Sequence, residues 1–355
     1  MSHPKVRIAV IGVGLIGPRH AKAVINTRTA ELVAIVDPAP RAAEIARELG
    51  VPHYTSIAEA ADSSAKPDAA IICTPNHSHV PVAKELSSLG IHVLIEKPFS
   101  TDVPSGEMLL THLKTTSVHA LVGHHRRFNP YMVAAKRIVS SGRLGRIIAI
   151  NGLWTLHKPL DYFDAPTEWR RDKTGGVVLI NMIHEVDLLH YLFGPIVKVY
   201  AERVVSQRGF EAEEGGAIIL KFKSGVVGTF TLSDNVASPY NFESGTGENP
   251  LIPKSGQDFY RIFGTDATLS VPDMSIWSYQ GTKSWHSNMK RDSDTKVESK
   301  IPFELQLEHF CKVIHGEEEA SCTAEEGLGA LKVCEAIKSA FETDKAVEVD
   351  AFEMR

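Results

Sequence analysis

Three glycines of this chain, Gly12, Gly14 and Gly17, have the G-x-G-x-x-G spacing that is typical of dinucleotide-binding loops. The apolar run Val6–Ile11 leads directly into them and a helical pattern follows, which is the context that makes the spacing informative. Glycine permits a tight turn and the close approach of a pyrophosphate, whose charge the helix N-terminus stabilises. The cofactor contacts predicted in this loop are Gly12, Gly14, Leu15, Ile16 and Gly17.

Asp37 ends the second apolar run, about 20 residues beyond the glycine loop, where a carboxylate typically accepts the ribose hydroxyls of NAD. The same carboxylate would repel the 2′-phosphate of NADP. Arg41, one helical turn later, keeps NADP as an alternative because a guanidinium can bind that phosphate. Asp37 precedes Pro38, so it could instead be only a turn or helix-capping residue. We predict NAD as the cofactor.

Lys97 follows the apolar run His92–Ile95, which predicts a buried strand, and precedes Pro98, which restricts the backbone of the residue before it. Doubly wound sheets bind their ligands at the carboxyl ends of the strands. Hydride transfer from an alcohol to nicotinamide leaves a hydroxyl proton that a base must remove. We therefore predict Lys97 as the principal acid–base group. The alternative is a surface lysine paired with Glu96.

His184 lies in a helical pattern over residues 178–193, with Asn181 three residues before it and Asp187 three residues after it. Residues spaced by three share one face of a helix, so this face would present an amide and an imidazole to a substrate. We predict that His184 hydrogen-bonds to the reacting oxygen and that Asn181 contacts the substrate. A core histidine bonded to backbone is the alternative for His184.

The chain that positions these residues has 355 residues, which exceeds the size at which a single core stops growing and predicts two domains. Up to residue 125, short apolar runs alternate with helical patterns, as in a parallel sheet covered by helices on both faces. Right-handed crossovers then give a doubly wound Rossmann fold of the α/β class. We predict a dinucleotide-binding domain over residues 1–125.

Residues 126–355 are predicted to form a second domain, for substrate binding and oligomerisation. Strands follow one another at hairpin spacing between residues 197 and 271, which favours an α+β domain on a large, mainly antiparallel open sheet. Alternation over residues 226–232 and 260–262 predicts an outer face too apolar to stay exposed, and hence a homodimer or homotetramer through that sheet. We expect the long segment 233–255 to be functional or disordered.

The composition argues against several kinds of partner. The chain is 43% hydrophobic and 23% charged with a net charge of -5, which predicts an ordinary soluble protein and no nucleic-acid partner. No apolar stretch approaches the ~18 residues of a membrane span, so no membrane partner is expected. Glycines interrupt the first apolar run and argue against a signal peptide, and the scattered cysteines are typical of a reducing compartment. We predict a cytoplasmic protein.

Four segments together resemble the family of glucose-fructose oxidoreductase, inositol dehydrogenase and their relatives, over nearly the whole chain. They are the glycine loop, Cys73-Thr74-Pro75-Asn76-His77 with His79, Glu96-Lys97-Pro98, and Gly175-Gly176 leading to His184 and Asp187. The resemblance implies an NAD(H)-dependent oxidoreductase acting on a ring hydroxyl or ketone of a sugar, cyclitol or related polyol. It also implies a cis peptide bond between Lys97 and Pro98. The cofactor contacts that it adds are Thr74, Pro75, Asn76, His79, Glu96 and Lys97.

One position departs from the family pattern. The family often carries an aspartate four residues before the histidine, where this chain has Ile180. No carboxylate at that position orients His184, so the division of labour between Lys97 and His184 stays open. The substrate contacts that the resemblance implies are Arg126, Trp169 and Arg170, although Trp169 could equally fill the core.

Several alternatives remain at the level of sequence. No metal is predicted, because His77 and His79 lack a third ligand at a recognised spacing. Arg41 favours an NADP-dependent reductase of a ketosugar or dicarbonyl compound. A non-catalytic dinucleotide-binding regulator is a further alternative, against which the presence of both Lys97 and His184 argues. Cleavage of a glycosidic bond, with NAD cycling within the site, is the last.

Overall fold

Two compact units make up the chain, whose structure, a computed structural model, describes residues 3–293 and 295–352. The first unit contains the chain up to Phe128 together with Lys300–Leu331. The second contains Asn129–Ser299 and the residues from Lys332 onward. Within the described ranges, none of the helices combines the length and the apolar character that crossing a membrane requires.

A parallel sheet of six strands forms the centre of the first unit. Its strands are β1 (Val6–Ile11), β2 (Ala30–Val36), β3 (His53–Tyr54), β4 (Ala69–Ile72), β5 (His92–Ile95) and β6 (Ala120–Val122). The helices between them are α1 (Gly17–Asn26), α2 (Arg41–Leu49), α3 (Ile57–Asp62), α4 (His79–Ser88) and α5 (Val103–Leu113). The strand order is β3-β2-β1-β4-β5-β6, so the winding reverses between β1 and β4, where doubly wound folds bind ligands. The predicted Rossmann fold is confirmed.

An open sheet of nine strands dominates the second unit. Its strands are β7 (Ile147–Thr155), β8 (Ile196–Arg203), β9 (Gly215–Phe222), β10 (Val227–Ser233), β11 (Tyr260–Gly264), β12 (Ala267–Val271), β13 (Ile276–Tyr279), β14 (Met289–Asp292) and β15 (Val347–Glu348). Their order is β14-β13-β12-β11-β7-β10-β9-β8-β15, and only β7 and β10 are parallel among these described pairs. The predicted mainly antiparallel sheet is confirmed. The helices of this part are α6 (Pro130–Ser140), α7 (Ile183–Phe193), which follows a π-helical turn at Val178–Met182, and α8 (Phe242–Thr246).

Two further helices, α9 (Pro302–Ile314) and α10 (Ala324–Thr343), complete the described chain. Leu307, Phe310 and Val313 of α9 are buried in the same core cluster as the apolar side chains of β1 and β2. Helix α9 therefore belongs to the first unit, whereas division of the sequence at residue 125 places it in the second domain. Burial of apolar side chains, rather than chain order, determines where this helix packs.

The segment 233–255 forms ordered structure within the second unit. Asn241 caps α8, because its Oδ1 accepts a hydrogen bond from Ser244 N at 2.9 Å, and its amide donates to Thr155 O at 3.2 Å. The indole Nε1 of Trp154 donates to Glu243 Oε2 at 2.8 Å. Two of these contacts, Asn241 with Thr155 and Trp154 with Glu243, join residues more than 80 positions apart. A local pattern cannot reveal them, which is why the sequence suggested a long open loop.

The alternating apolar residues that the sequence analysis placed on the outer face of the nine-stranded sheet lie on its core-facing side instead. Successive side chains of a strand point to opposite faces, and the apolar set of β10 and β11 points into the core. The buried side chains are Phe230, Leu232, Tyr260 and Ile262, and their exposed neighbours are Val227, Thr229, Thr231 and Arg261. Apolar side chains reach the outer face from other positions, namely Tyr200, Ile219, Phe263 and Trp277, which are 39–49% exposed.

Candidate functional site

The glycine loop connects β1 to α1 and is shaped by close backbone contacts. Gly12 has a left-handed φ of 89°, and a Cβ at this position would lie 2.9 Å from the Cys73 carbonyl. A Cβ at Gly17 would lie 2.1 Å from the carbonyl oxygen of Gly12. A Cβ at Gly14 would meet nothing within 4 Å among the described residues. Two glycines therefore keep the turn closed, while Gly14 faces open space.

The start of α1 lies next to this open space in the sequence. Ile16 occupies the N-cap position and makes no side-chain capping bond, and Leu15 is 89% exposed. The first turn, residues 17–20, contains no acidic side chain. Backbone N–H groups at the start of a helix have no partner within the helix, so they can bind an anion.

Asp37 joins the end of β2 to the glycine loop. Its Oδ2 accepts a hydrogen bond from Val13 N at 2.8 Å, and its Oδ1 accepts one from Ala39 N at 2.8 Å. Each carboxylate oxygen keeps a lone pair for a further donor. Asp37 is thus a turn residue that can still accept ribose hydroxyls. Arg41, the first residue of α2, is exposed.

The segment after β4 combines an unsatisfied hydroxyl with a clamped imidazole. Thr74 Oγ1 is buried and has no hydrogen-bond partner in the part of the chain that the structure describes. Pro75 and Asn76 are exposed. The ring nitrogens of His79 contact the carbonyl oxygens of Thr74 at 2.9 Å and of Pro98 at 2.8 Å, and burial lowers the pKa of the imidazole. His79 therefore ties this segment to the one that follows β5.

Glu96 and Lys97 follow β5 and have different surroundings. Glu96 is buried, with Oε1 at 2.7 Å from His20 Nε2 and Oε2 accepting a bond from Lys97 N at 3.1 Å. Burial alone would raise the pKa of Glu96, but the bond to His20 and the charges of His20, His125 and Lys97 lower it to about 2. The side chain of Lys97 is half-buried, and its peptide bond to Pro98 is cis, as the resemblance implies.

Arg126 and Arg127 lie in a short 3-10 helix, His125–Phe128, after β6. Both are buried, with exposures of 5% and 2%. Arg127 Nη1 donates to Glu326 Oε1 at 3.1 Å, a buried ion pair within the first unit. Arg127 thus has a structural explanation. The substrate role of Arg126 stays a prediction.

In the second unit, two glycines lead into the helix that carries His184. A Cβ at Gly175 would lie 2.3 Å from the carbonyl oxygen of Trp169, and one at Gly176 would lie 2.0 Å from Glu213 Oε1. Glu213 Oε1 also accepts a bond from Val178 N at 2.9 Å, where the π-helical turn begins. Burial raises the pKa of Glu213, against the effect of its backbone bonds. The lack of side chains at Gly175 and Gly176 leaves room for the Trp169 backbone and the Glu213 carboxylate, which hold this end of the helix in place.

Asn181 lies in the π-helical turn and His184 in the first turn of α7. A π-helical turn contains an additional residue, so the spacing of three does not by itself place the two on one face. His184 is 6% exposed, and Asp187 is fully buried. Next to His184, the carboxylate of Glu185 accepts a hydrogen bond from the Tyr260 hydroxyl.

The amide of Asn181 is held by a buried lysine. Lys158 Nζ donates to Asn181 Oδ1 at 2.7 Å and lies 3.3 Å from Asp234 Oδ2. Arg208 Nη1 donates to the other oxygen of Asp234 at 2.6 Å. Burial is the largest influence on Lys158 and, despite the nearby carboxylates of Asp234 and Glu243, lowers its pKa to about 8.

Arg170 and Tyr162 lie beside this lysine. The guanidinium carbon of Arg170 is 3.9 Å and Lys158 Nζ is 4.8 Å from the centroid of the Tyr162 ring. Arg170 Nη1 donates to Tyr162 O at 2.9 Å, while its Nε is buried without a partner among the described residues. Trp169 is 44% exposed.

Two family models match the chain. One, described as oxidoreductase family, NAD-binding Rossmann fold, matches residues 6–124. The other, described as oxidoreductase family, C-terminal alpha/beta domain, matches residues 136–349. The chain belongs to the glucose-fructose oxidoreductase and inositol dehydrogenase family. It is an oxidoreductase with an NAD-binding domain, as the resemblance implied.

Members of this family match the chain over different lengths. The scyllo-inositol 2-dehydrogenase (NAD(+)) of Bacillus subtilis is 27% identical over 99% of this chain and 98% of its own. The inositol 2-dehydrogenase of Rhizobium meliloti is 32% identical over 53% of this chain and 55% of its own. The WlbA dehydrogenase of Bordetella pertussis, solved with NADH and UDP-GlcNAcA, superposes with a TM-score of 0.76 over 98% of this chain and all of its own, at 24% identity. The similarity to the WlbA dehydrogenase shows that the two chains share a fold.

The residues present fit the NAD that this family binds. Gly14 leaves open space in front of a helix start without acidic side chains, where a pyrophosphate would lie. Asp37 keeps lone pairs for the ribose, and the buried hydroxyl of Thr74 has no partner among the described residues. The side chains of His79 and Glu96 are bonded within the protein, so their predicted cofactor contacts would come from their backbone or from the segments that they position.

Four polar residues of these regions were not identified from the sequence: His20, Lys158, Glu213 and Asp234. Each has its partner far away in the chain, as with His20 and Glu96, which are 76 residues apart. Lys158 follows the exposed His157 just beyond the end of β7, and nothing in the neighbouring sequence indicates that its side chain is buried. The sequence feature that came closest to indicating Lys158 was Asn181. An amide that binds a substrate needs a neighbouring group to orient it.

Proposed function

We propose that the protein oxidises a ring hydroxyl of a sugar, cyclitol or related polyol, reversibly, with NAD as the hydride acceptor. Its relatives include an inositol 2-dehydrogenase and a scyllo-inositol 2-dehydrogenase, which supports this substrate class. The observation that carries the proposal is the position of Lys97, half-buried directly after β5 at the carboxyl edge of the Rossmann sheet. Ligands of such sheets bind at that edge.

Each residue has a distinct role in this proposal. NAD, when bound, supplies the hydride acceptor. Lys97 accepts the hydroxyl proton in oxidation and returns it in reduction. His184 hydrogen-bonds to the reacting oxygen, and Asn181, whose amide orientation Lys158 fixes, binds a neighbouring substrate oxygen. Arg126, Trp169 and Arg170 are further substrate contacts.

The test follows NADH by its near-ultraviolet absorbance with a panel of sugars and cyclitols, in wild type and in Lys97→Ala. We expect turnover by wild type and a loss of about 10²- to 10⁴-fold in kcat for the variant, the usual contribution of an acid–base group. Lys66→Ala, which removes an exposed lysine of the same unit, is the matched control. An enzyme that binds NADH but turns over no member of the panel would instead favour the regulator or glycoside-cleaving alternatives.

The choice between NAD and NADP is measured in the same assay. Asp37 favours NAD, and we expect Arg41→Ala to leave NAD turnover unchanged because Arg41 is exposed at the start of α2. A preference of wild type for NADP that this substitution abolishes would establish the NADP-dependent alternative.

We also propose a homo-oligomer that pairs through the outer face of the nine-stranded sheet. The exposed apolar side chains on that face, Tyr200, Ile219, Phe263 and Trp277, support it. Sedimentation of wild type at micromolar concentration should show a dimer or tetramer, and Ile219→Glu should dissociate it. Trp285→Glu changes an equally apolar, 89% exposed residue in the β13–β14 connection and should not. A monomeric wild type would contradict the proposal.

We place the protein in the cytoplasm. The support is its cysteines, Cys73, Cys311, Cys322 and Cys334, all of which are buried and form no disulfide in the described ranges. Thiols of this kind are typical of reducing compartments.

A further inference from the structure

Lys158 is a buried ammonium group to which the proposed reaction gives no direct contact with the substrate, only the orientation of Asn181. Its side chain is 8% exposed and extends from the end of β7 into the interior of the second unit. Burying a lysine is unfavourable unless its charge and its hydrogen bonds are satisfied. The surroundings of Lys158 therefore indicate what the group is for.

The hydrogen bonds of Lys158 are incompletely satisfied. An ammonium has three N–H donors. One is used by Asn181 Oδ1 at 2.7 Å and one by Asp234 Oδ2 at 3.3 Å. Within the described chain, the third has no oxygen acceptor. It is a donor held in a fixed direction by the buried Asp234 and the half-buried Asn181.

The side-chain amide of Asn181 adds N–H donors next to the third N–H of Lys158. Lysine can only donate, so the bond from Lys158 requires Oδ1 of Asn181 to face it and turns Nδ2 away. No described residue accepts a hydrogen bond from Nδ2. The pair thus presents N–H groups and no acceptor to a ligand.

Arg170 contributes a third unsatisfied donor. Its Nε is buried and lacks an acceptor among the residues that the structure describes. Both Arg170 and Lys158 lie against the ring of Tyr162, at 3.9 Å and 4.8 Å from its centroid. The charge of Arg170 contributes to lowering the pKa of Lys158, so the two cations are close enough to interact.

Cations and carboxylates both lie in this cluster. The cations are Lys158, Arg170 and Arg208, and the carboxylates that act on Lys158 are Asp234 and Glu243. Arg208 already pairs with Asp234 at 2.6 Å, and Trp154 donates to Glu243. Glu214 also lies next to Arg208, because its Oε1 accepts a hydrogen bond from Arg208 N at 2.7 Å, so the inference rests on the donors and not on an excess of charge. Unsatisfied donors on two cations and one amide are complementary to a carboxylate.

We propose that Lys158, with Asn181 and Arg170, binds a carboxylate group of the substrate, so that the enzyme acts on an acidic sugar or polyol rather than a neutral one. This inference rests on the proposed function and specifies its substrate class. Lys158 is the residue that determines specificity, because its ammonium is the donor that both Asn181 and Asp234 hold in place.

The test compares two isosteric probes, D-glucuronate and D-glucuronamide, titrated calorimetrically into the complex of the enzyme with NADH. We expect wild type to bind the carboxylate at least about 10-fold more tightly than the amide, as charge-assisted hydrogen bonds predict. Lys158→Met should abolish this preference, and Lys158→Arg, which keeps the charge, should retain part of it. Lys136→Met is the matched control, because Lys136 is a half-buried lysine of the same unit that donates to Tyr191 O.

Several outcomes would overturn the inference. These are equal binding of the two probes by wild type, binding of neither, and a preference that survives Lys158→Met. If Lys158→Met does not fold, Lys158→Gln takes its place. The proposed function fails separately: an enzyme that oxidises neutral cyclitols without a carboxylate preference keeps that function and loses this inference, whereas one that does not bind NADH loses the function first.

Discussion

The glycine loop of the first unit and the Lys158 cluster of the second solve the same problem, that of binding an anionic or polyhydroxylated group, by different means. The loop is built from backbone: Gly12 and Gly17 close the turn, and among the described residues nothing lies within 4 Å of a Cβ placed at Gly14. The cluster is built from side chains that come from the segment after β7, from the π-helical turn and from the segment after β10. A backbone device occupies one short stretch of chain, whereas a side-chain device assembles only after folding.

This difference determines what a substitution does in each region. A side chain added to the backbone device collides with backbone, which cannot move aside. Removal of a side chain from the cluster leaves space and removes a buried charge. We therefore expect Gly12 and Gly17 of the glycine loop to respond mainly through stability, and the Lys158 cluster mainly through ligand preference.

Gly17→Ala should have the largest effect. Its Cβ would lie 2.1 Å from the Gly12 carbonyl oxygen, so the turn or the start of α1 must shift. We expect a loss of about 3 kcal/mol or more in the free energy of unfolding, beyond ordinary overpacking, together with loss of NADH binding. Urea unfolding and NADH fluorescence measure the two effects. Normal stability in this variant would mean that the loop is not held by backbone contacts.

Glu96→Gln tests the buried pair of Glu96 and His20. The pKa of Glu96 is about 2 in the folded protein against an ordinary 4.5, so its ionised form stabilises the fold above pH 4.5 and this contribution is lost as the pH falls toward 2. At pH 7 the contribution is about 3 kcal/mol. We expect the variant to be less stable at pH 7, and its deficit to shrink by about 1 kcal/mol by pH 3.5.

Urea unfolding of both proteins between pH 7 and pH 3.5 measures this dependence. Glu304→Gln, in the exposed bond between Glu304 and Asn26 of the same unit, is the control and should show no such change. A pH-independent difference between wild type and Glu96→Gln would contradict the assignment of Glu96 as an ionised partner of His20.

Lys158→Met should not destabilise the protein, in contrast to the first two substitutions. The pKa of Lys158 is about 8 when folded and 10.5 ordinarily, so its charge is less favourable in the folded state, and this cost applies below pH 8 and disappears as the pH rises to 10.5. Arg208 still pairs with Asp234 in the variant. We expect stability at pH 7 to be unchanged or higher by up to about 2 kcal/mol.

Thermal or urea unfolding at pH 7 distinguishes this expectation from a structural role for Lys158. Breaking a buried ion pair that holds the fold together costs about 3–5 kcal/mol. A loss of that size would make Lys158 part of the scaffold of the second unit.

Gly14→Ala should have the smallest effect on stability. Its Cβ meets nothing within 4 Å in the described chain, so we expect a change of less than about 0.5 kcal/mol. The methyl group would occupy the space proposed for the pyrophosphate, and we expect NADH affinity to fall about 10-fold, or about 1.4 kcal/mol. Unaltered affinity, measured by fluorescence titration, would place the pyrophosphate elsewhere.

The same contrast explains what the sequence could predict. The Rossmann sheet was predictable because β1, β4 and β5 are continuous apolar runs next to glycine and helix signals, and the glycine spacing lies within six residues. Strands of two residues, such as β3 and β15, gave too little pattern to identify. Asn181 was identified from its spacing, but its partner Lys158 is 23 residues away, and no periodicity connects them.

The first unit is discontinuous in sequence, which has a consequence for the order of synthesis. A ribosome completes residues up to Phe128 and then makes about 170 further residues before α9 emerges, which takes about 10–30 s at ordinary elongation rates. During that interval the sites that Leu307, Phe310 and Val313 fill are open, and apolar surface of β1 and β2 is exposed to other nascent chains. We therefore expect a fragment that ends at Phe128 to expose this apolar surface and to be more prone to aggregation than the full chain.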